Sequence, residues 1–380
     1  MRITEPGIDQ EIKRSARRER RRWDDSNREM LALGCRGCAE FGTCGGLHKR
    51  QPGFWCMDHC CGFPDTCDSV CPRNPKAFLD RIREIDGFEF DNIPRTDKLH
   101  SPLLPAYVPL VYHRSRRNFA LRTSVAAIPF HQLYDRGNQS PKYSSRTAVA
   151  DAFGLDATTT IIAIGSGYDR SIETWWGCGS KRKDILRGLG EAGITFLTSP
   201  NYSLFTDAIR YDDMHSMKRI AIAWQESVAQ GVPCALHINA RTIRDYDRFI
   251  EFIRERPEVV NISFEFATGA GWPSRRGFHI QHLARLREMV DRPLHLTIVG
   301  GSVSVPILSS VFDGLTYVDS SAFMNAVKRQ RLYESNDRSL QKYLDATDRG
   351  APIDNLLQQN IDVMRLRIES RFSRRSNELH

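Results

Sequence analysis

The sequence predicts an α/β fold built as an eight-stranded barrel, on three observations. First, eight short apolar or β-branched runs recur from residue 107 onward, each of strand length. Second, most of the later gaps between them carry helical patterns. Third, residues 293–329 read as strand, short amphipathic crossover and strand. That is a βαβ unit, which requires parallel strands because a hairpin turn cannot join them.

The eight runs are YVPLVYH (107–113), SVAAIPF (124–130), TIIAIG (160–165), ITFLT (194–198), VPCALHI (232–238), VVNISFEF (259–266), PLHLTIV (293–299) and LTYVD (315–319). Helical patterns follow the third to sixth runs: SKRKDILRGLGEAG, SMKRIAIAWQESVAQG, TIRDYDRFIEFIRERP and GFHIQHLARLREMVDRP. Strict alternation of this kind specifies a (β/α)8, TIM-like barrel over 106–330. The first two gaps depart from it. No helical pattern follows Tyr112, and 130–160 is long, which leaves an open doubly wound sheet as the alternative. Residues 331–380 form a charged helical extension that caps the barrel or lies on a partner.

Ahead of the barrel the character of the chain changes. Residues 1–34 form a basic arm, with Lys13, Arg14, Arg17, Arg18, Arg20, Arg21 and Arg22 on an expected helix ending near Gly34. The arm supplies much of the net charge of +8 and fits either a solvated helix or a phosphate-binding arm, since clustered Arg pairs bidentately with phosphate. Residues 35–105 hold a cysteine-rich module and a Pro-rich connector. Eight of the ten cysteines lie there: Cys35, Cys38, Cys44, Cys56, Cys60, Cys61, Cys67 and Cys71. Segments so short and so rich in Gly and Pro bury no core, and soft thiolates at this spacing bind iron–sulfur clusters or zinc. A [4Fe–4S] cluster is expected; the alternative is Zn2+, with His48 and His59 completing the sites. Cys234 lies in an apolar strand and reads as packing. No run of about eighteen apolar residues is present, and the charged N-terminus has no apolar signal core, so a cytoplasmic protein without a membrane span is expected.

In an α/β barrel the chemistry sits at the C-terminal ends of the strands. Those ends nominate Ser166 and Tyr168 after the third run, Asn201 and Tyr202 after the fourth, and Asn239 after the fifth. Glu265 ends the sixth, followed by Gly269, Gly271, Trp272, Arg275 and Arg276. Gly300 and Gly301 follow the seventh, and Asp319 ends the eighth. Asp319 is expected to be the main catalytic carboxylate, with an N-cap role as the competing reading. A carboxylate inside an apolar strand must be paired or functional, so Glu265 is a reserve candidate for the catalytic base that partners Asp319. His237 and His295, also in strands, read as satisfied core histidines.

The segment Gly300-Gly301, a short crossover and then Tyr317-Val318-Asp319-Ser320-Ser321, with Asn325 and Arg329 downstream, resembles the tRNA-guanine transglycosylase superfamily. Thr268-Gly269-Ala270-Gly271 is similar to that family's glycine-rich base-binding loop, and Ser166-Gly167-Tyr168 to part of its Asp-Ser-Gly-Gly-Phe segment. The nearest branch comprises deazapurine transglycosylases that modify DNA, and an SPNYSLF-like segment is shared with a related bacterial and phage family. The resemblance covers roughly residues 160–329. It implies exchange of a guanine-type base for a 7-deazapurine in DNA or tRNA. Asp319 would then form or stabilise the glycosyl intermediate, Asp169 would serve the leaving base, and Arg275 and Arg276 would hold phosphate. Tyr168, Tyr202 or Trp272 would stack on an extruded base. Three departures stand out: the family's first Asp falls near Gly165, its base-recognising Asp falls near Thr198 or Ser199, and its zinc site is C-terminal.

Two other function classes compete. One is a non-catalytic nucleic-acid-binding or accessory protein on the same barrel, with a structural metal cluster. The other is a cluster-dependent redox enzyme, against which the absence of a Cys-x3-Cys-x2-Cys motif counts. The sequence leaves the oligomeric state open.

Overall fold

The computed structural model describes residues 81–204, 210–348 and 350–372. The basic arm and the eight clustered cysteines lie outside the described residues. The chain divides into two compact units.

The larger unit, Ile93–Tyr202, Ile220–Ile238 and Phe249–His380, holds the barrel. Its path starts with β1 (Tyr107–Pro109) and β2 (Val125–Pro129), joined by a loop with no helix. A two-stranded ribbon follows, β3 (Tyr134–Asp135) with β4 (Ser140–Pro141). Next comes α1 (Arg146–Phe153), whose N-terminus is capped by the Ser145 hydroxyl accepting from the Ala148 N–H at 3.2 Å. Ribbon and helix together fill the long 130–160 gap.

From there the alternation is regular. β5 (Thr160–Ile164) leads to α2 (Asp169–Trp176) and α3 (Lys181–Glu191); β6 (Ile194–Thr198) leads to α4 (Arg210–Ala229). β7 (Cys234–His237) leads to α5 (Ile243–Glu255), and β8 (Asn261–Glu265) to α6 (Pro273–Val290). β9 (His295–Val299) leads to α7 (Val305–Val311), and β10 (Gly314–Asp319) to α8 (Ser321–Val327). The hairpin β11 (Gln330–Glu334) and β12 (Leu340–Leu344) and the long helix α9 (Asp354–Phe372) complete the chain.

The eight main strands form one sheet in the order β1-β10-β9-β8-β7-β6-β5-β2, and every pairing in it is parallel. The two ends of that order meet. Leu110 bridges Ala127 in parallel, and the Val111 N–H donates to the Ala127 carbonyl at 2.9 Å. This contact closes the sheet into a barrel and rules out the open sheet. The missing helix after β1 is replaced from the far end of the chain: α9 packs against β1, α7 and α8. That is the role of the C-terminal extension, which covers the outer face of the first strand as a crossover helix would.

Register decides which side chains enter the barrel. Val108, Leu110, Ala127, Ile162, Ile164, Phe196, Ala235, Val299 and Val318 pack as one buried cluster, and these are the lumen residues. Both faces of a parallel barrel strand are buried, inside by the lumen and outside by helices. At the N-terminal end of the barrel Leu104 packs against the lumen cluster. There the Thr316 hydroxyl donates to the Pro105 carbonyl at 3.0 Å, and the Asn261 amide donates to Ser101 at 2.7 Å. These contacts plug the bottom of the barrel.

The smaller unit spans Met1–Asn92, Ser203–Arg219 and Asn239–Arg248. Among its described residues, Arg241 and Asp213 form a buried ion pair at 2.8 Å. Lys218 bonds the Glu89 carbonyl and the Asn92 side chain, and burial pushes its ammonium down to about 8. No described helix is long and apolar enough to cross a membrane.

Candidate active site at the mouth of the barrel

The register turns Asp319 away from the mouth. Val318 pairs with Val108 and Val299 and faces the lumen with them, so Tyr317 and Asp319 project to the outer face of β10. There the Asp319 carboxylate is saturated. Oδ2 accepts from the Tyr317 hydroxyl at 2.8 Å and from the Ser321 hydroxyl at 2.7 Å, and Oδ1 accepts from the Ser321 N–H at 3.1 Å. The Tyr317 ring stacks on Tyr107 at 6.2 Å. Burial drives the Asp319 pKa upward, and the three hydrogen bonds oppose that shift without cancelling it. The carboxylate ties the end of β10 to the start of α8 on the outer face, not at the mouth where the sequence reading places it.

The neighbouring residue takes the lumen position instead. Ser320 continues the row of Thr316 and Val318, and it lies beside Tyr112, which packs against the lumen cluster from the end of β1. Burial raises the Tyr112 phenol; hydrogen bonding to Ser320 opposes this, and the charges of Tyr168 and Glu265 add to it.

Glu265 is the carboxylate that a strand directs into the mouth. It pairs in register with Val299, two residues beyond Ser263 on the same face. Asn201, from the loop after β6, donates its amide to Glu265 Oε2 at 2.8 Å. Oε1 accepts no hydrogen bond from any described residue. One oxygen is thus held and the other is available to a bound molecule.

Two further groups border the opening. Ser166 Oγ, after β5, and His131 Nδ1, after β2, are both buried and lack partners among the described residues. His131 Nδ1 lies against the loop after β5, since a Cβ at Gly167 would stand 3.2 Å from it. Burial lowers the His131 pKa, and the Arg136 charge lowers it further. Below this level His237, 1% exposed, sits beside Ser263, with its Nδ1 3.1 Å from the Ser263 hydroxyl. Burial pushes the His237 imidazole down to about 3.

The other expected residues divide. Tyr168 is 84% exposed on the loop after β5, and Trp272 is 44% exposed at the start of α6. Arg275 and Arg276 occupy the first turn of α6, the Arg275 guanidinium 5.0 Å from the Phe278 ring centre. Gly269 and Gly271 form a single 3-10 turn between β8 and α6. Asp169 opens α2 on an exposed turn, where a carboxylate complements the helix dipole. Tyr202 is fully buried, edge-on to Trp176 at 5.8 Å, so it has no face for a base. Asn239 belongs to the smaller unit.

Gly300 and Gly301 carry consecutive left-handed backbones, φ +71° and +68°, and a Cβ at Gly301 would lie 2.3 Å from Phe266 Cβ. The turn is needed for packing beneath the loop after β8. Gly165 is more telling. A Cβ there would lie 2.4 Å from the Thr198 carbonyl oxygen and 2.5 Å from that of Ser199. No carboxylate can stand where the resembled family places its first Asp. Gly165→Ala is expected to cost about 1–3 kcal/mol through forced backbone movement, measurable as a lower urea midpoint; an unchanged midpoint would remove this account.

Sequence reading missed Tyr112, His131, Ser320 and the His237–Ser263 pair. Strand parity was the available signal, and it fails where both faces are apolar.

No family model matches the chain, and no curated protein matches it. Among solved structures it is similar to a 4-hydroxy-2-oxoglutarate aldolase/2-deydro-3-deoxyphosphogluconate aldolase from TTHB1, with 12% identity and a TM-score of 0.30, over 69% of this chain and 95% of that one. It is also similar to Cgl0159 from Corynebacterium glutamicum, with 12% identity and a TM-score of 0.32, over 79% of this chain and 98% of that one. At these scores nothing of function carries over.

Proposed function

We propose that this chain is a base-exchange transglycosylase acting on nucleic acid, with Glu265 in the role the sequence suggested for Asp319. The observation that carries the reading is the Glu265–Asn201 pair at the C-terminal end of the barrel strands, with Oε1 unengaged by described residues. In the reaction Glu265 Oε1 attacks the anomeric carbon of the target nucleoside. The C–N bond breaks, and its electron pair leaves with the guanine-type base. The incoming 7-deazapurine nitrogen then attacks the same carbon, and the C–O pair returns to Glu265. The departing base gains a proton and the incoming one loses one, so the cycle balances; Asp169 on the rim is the candidate carrier. Tyr168 and Trp272 supply exposed rings for stacking, and Arg275 and Arg276 supply charge for phosphate.

The test is incubation with DNA and with tRNA carrying labelled guanine. Release of label dependent on added deazapurine supports exchange, and no release from either substrate sinks it. A second reading, a non-catalytic nucleic-acid-binding barrel, is favoured by the structural use of Asp319, and it predicts binding without release.

We further propose that the eight clustered cysteines hold a [4Fe–4S] cluster, with Zn2+ as the alternative. Their donor set of thiolates suits either. Among the described residues no group of His, Cys, Asp and Glu has the arrangement of a metal site. Protein purified without oxygen is expected to be brown and to absorb near about 400 nm. Colourless protein with stoichiometric zinc would instead select the zinc alternative.

A further inference from the structure

We infer that His237 is held by Ser263 as the neutral tautomer protonated on Nε2, and that it presents this N–H as a hydrogen-bond donor to the molecule bound at Glu265. His237 and Ser263 lie side by side in register on β7 and β8, on the face whose members Ala235 and Val299 line the lumen. Glu265 is two residues further along β8 on that same face. The donor and the carboxylate therefore come from adjacent strands, one level apart.

The tautomer follows from hydrogen-bond accounting. Ser263 is 0% exposed, and its hydroxyl has one partner among the described residues, His237 Nδ1 at 3.1 Å. If the imidazole were the donor, the hydroxyl proton would have no acceptor in a fully buried place. If the hydroxyl donates, Nδ1 is satisfied as an acceptor and the ring proton sits on Nε2. The next hydroxyl along this level, Thr297 Oγ1, does not change this: it is itself buried and without a partner among the described residues. Nε2 makes no hydrogen bond to a described residue, so its proton is available to a ligand.

Burial keeps the imidazole uncharged, with its pKa near 3. A neutral N–H cannot easily deliver its proton, but it stabilises negative charge developing on a nearby atom. In base exchange that charge appears on the departing base as the C–N pair leaves with it. The identity of the acceptor rests on the base-exchange reading; the tautomer does not. Ser263 is then a positioning residue, acting through His237. The sequence reading of His237 as a satisfied core histidine accounts for Nδ1 and leaves Nε2 unexplained.

The test combines a spectrum with kinetics on the full chain. Nitrogen-15 NMR of histidine-labelled protein, assigned by loss of one signal in His237→Gln, is expected to show Nε2 protonated and Nδ1 bare. Ser263→Ala is expected to give a tautomer mixture, and Ser263→Thr, which keeps the hydroxyl, to restore the single form. A wild-type spectrum with the proton on Nδ1 overturns the inference. In the exchange assay His237→Leu is expected to lose about 10²-fold or more in rate, while His237→Gln, which keeps an N–H donor, retains more. Equal rates for wild type and His237→Leu overturn the donor role. If wild-type protein exchanges no base, the base-exchange reading and the leaving-base acceptor fall together. The tautomer is still decided by the spectrum, and the donor role by adding guanine: a shift of the His237 Nε2 signal supports it, and no shift overturns it.

Discussion

Glu265→Gln is expected to abolish base exchange while leaving the fold intact. The substitution keeps size and shape, and the glutamine carbonyl still accepts from the Asn201 amide that now bonds Oε2 at 2.8 Å. Surface and rim changes of this kind shift stability by no more than about 0.5 kcal/mol. The nucleophile is gone, however, since an amide oxygen neither attacks the anomeric carbon effectively nor balances its developing positive charge. A loss of about 10²–10⁴-fold is the minimum expected for a carboxylate at the reacting centre. Thermal unfolding and the labelled-guanine assay, run on the same preparation, separate the two effects. A variant that unfolds like wild type and exchanges base at the wild-type rate would remove Glu265 from the mechanism. It would leave the binding-protein reading in possession of the site.

The barrel was legible because its signals are local. Strands such as TIIAI and HLTIV are short β-branched runs, and the intervening helices carry their own periodicity. The closure was not legible. It depends on a bridge between Leu110 and Ala127 and on α9 returning from the end of the chain to β1, and neither leaves a mark in nearby sequence. The site was half legible for a related reason. Glu265 was visible as an ionisable residue in an apolar strand. Asp319 was visible too, but LTYVD is apolar on both faces, so alternation could not say which face Asp319 occupies. An error of one residue in parity exchanges Ser320 for Asp319 at the mouth. Tyr112 carries no local signal because its strand runs into a loop with no helical pattern. His237 reads in the sequence as a satisfied core histidine, because a single sequence does not show which ring nitrogen a neighbour leaves unpaired.

Asp319 carries the second large effect, and it falls on stability. Asp319→Ala removes the acceptor of three hydrogen bonds, leaving the Tyr317 hydroxyl and the Ser321 N–H and hydroxyl to find new partners in a site where Asp319 is 8% exposed. A loss of about 1–3 kcal/mol is expected, the cost of leaving buried donors unsatisfied. Asp319→Asn preserves the shape, and both hydroxyls can turn to accept from the new amide, so about 1 kcal/mol is expected instead. The two variants also differ from wild type in their pH dependence. The folded-state pKa of Asp319 lies above its unfolded value, because burial outweighs the hydrogen bonds. The folded state therefore binds the proton more tightly. Its contribution is fully present below the unfolded pKa and is lost as pH rises through the raised folded value. Urea unfolding across that range should show wild type losing stability relative to Asp319→Asn as pH increases. A difference that stays flat, or grows in favour of wild type, contradicts a buried carboxylate dominated by desolvation. Base exchange supplies the independent check. Because the carboxylate lies on the outer face of β10, folded Asp319→Asn should retain the activity that Glu265→Gln loses. If Asp319→Asn folds yet loses exchange, the reacting carboxylate is on the outer face after all.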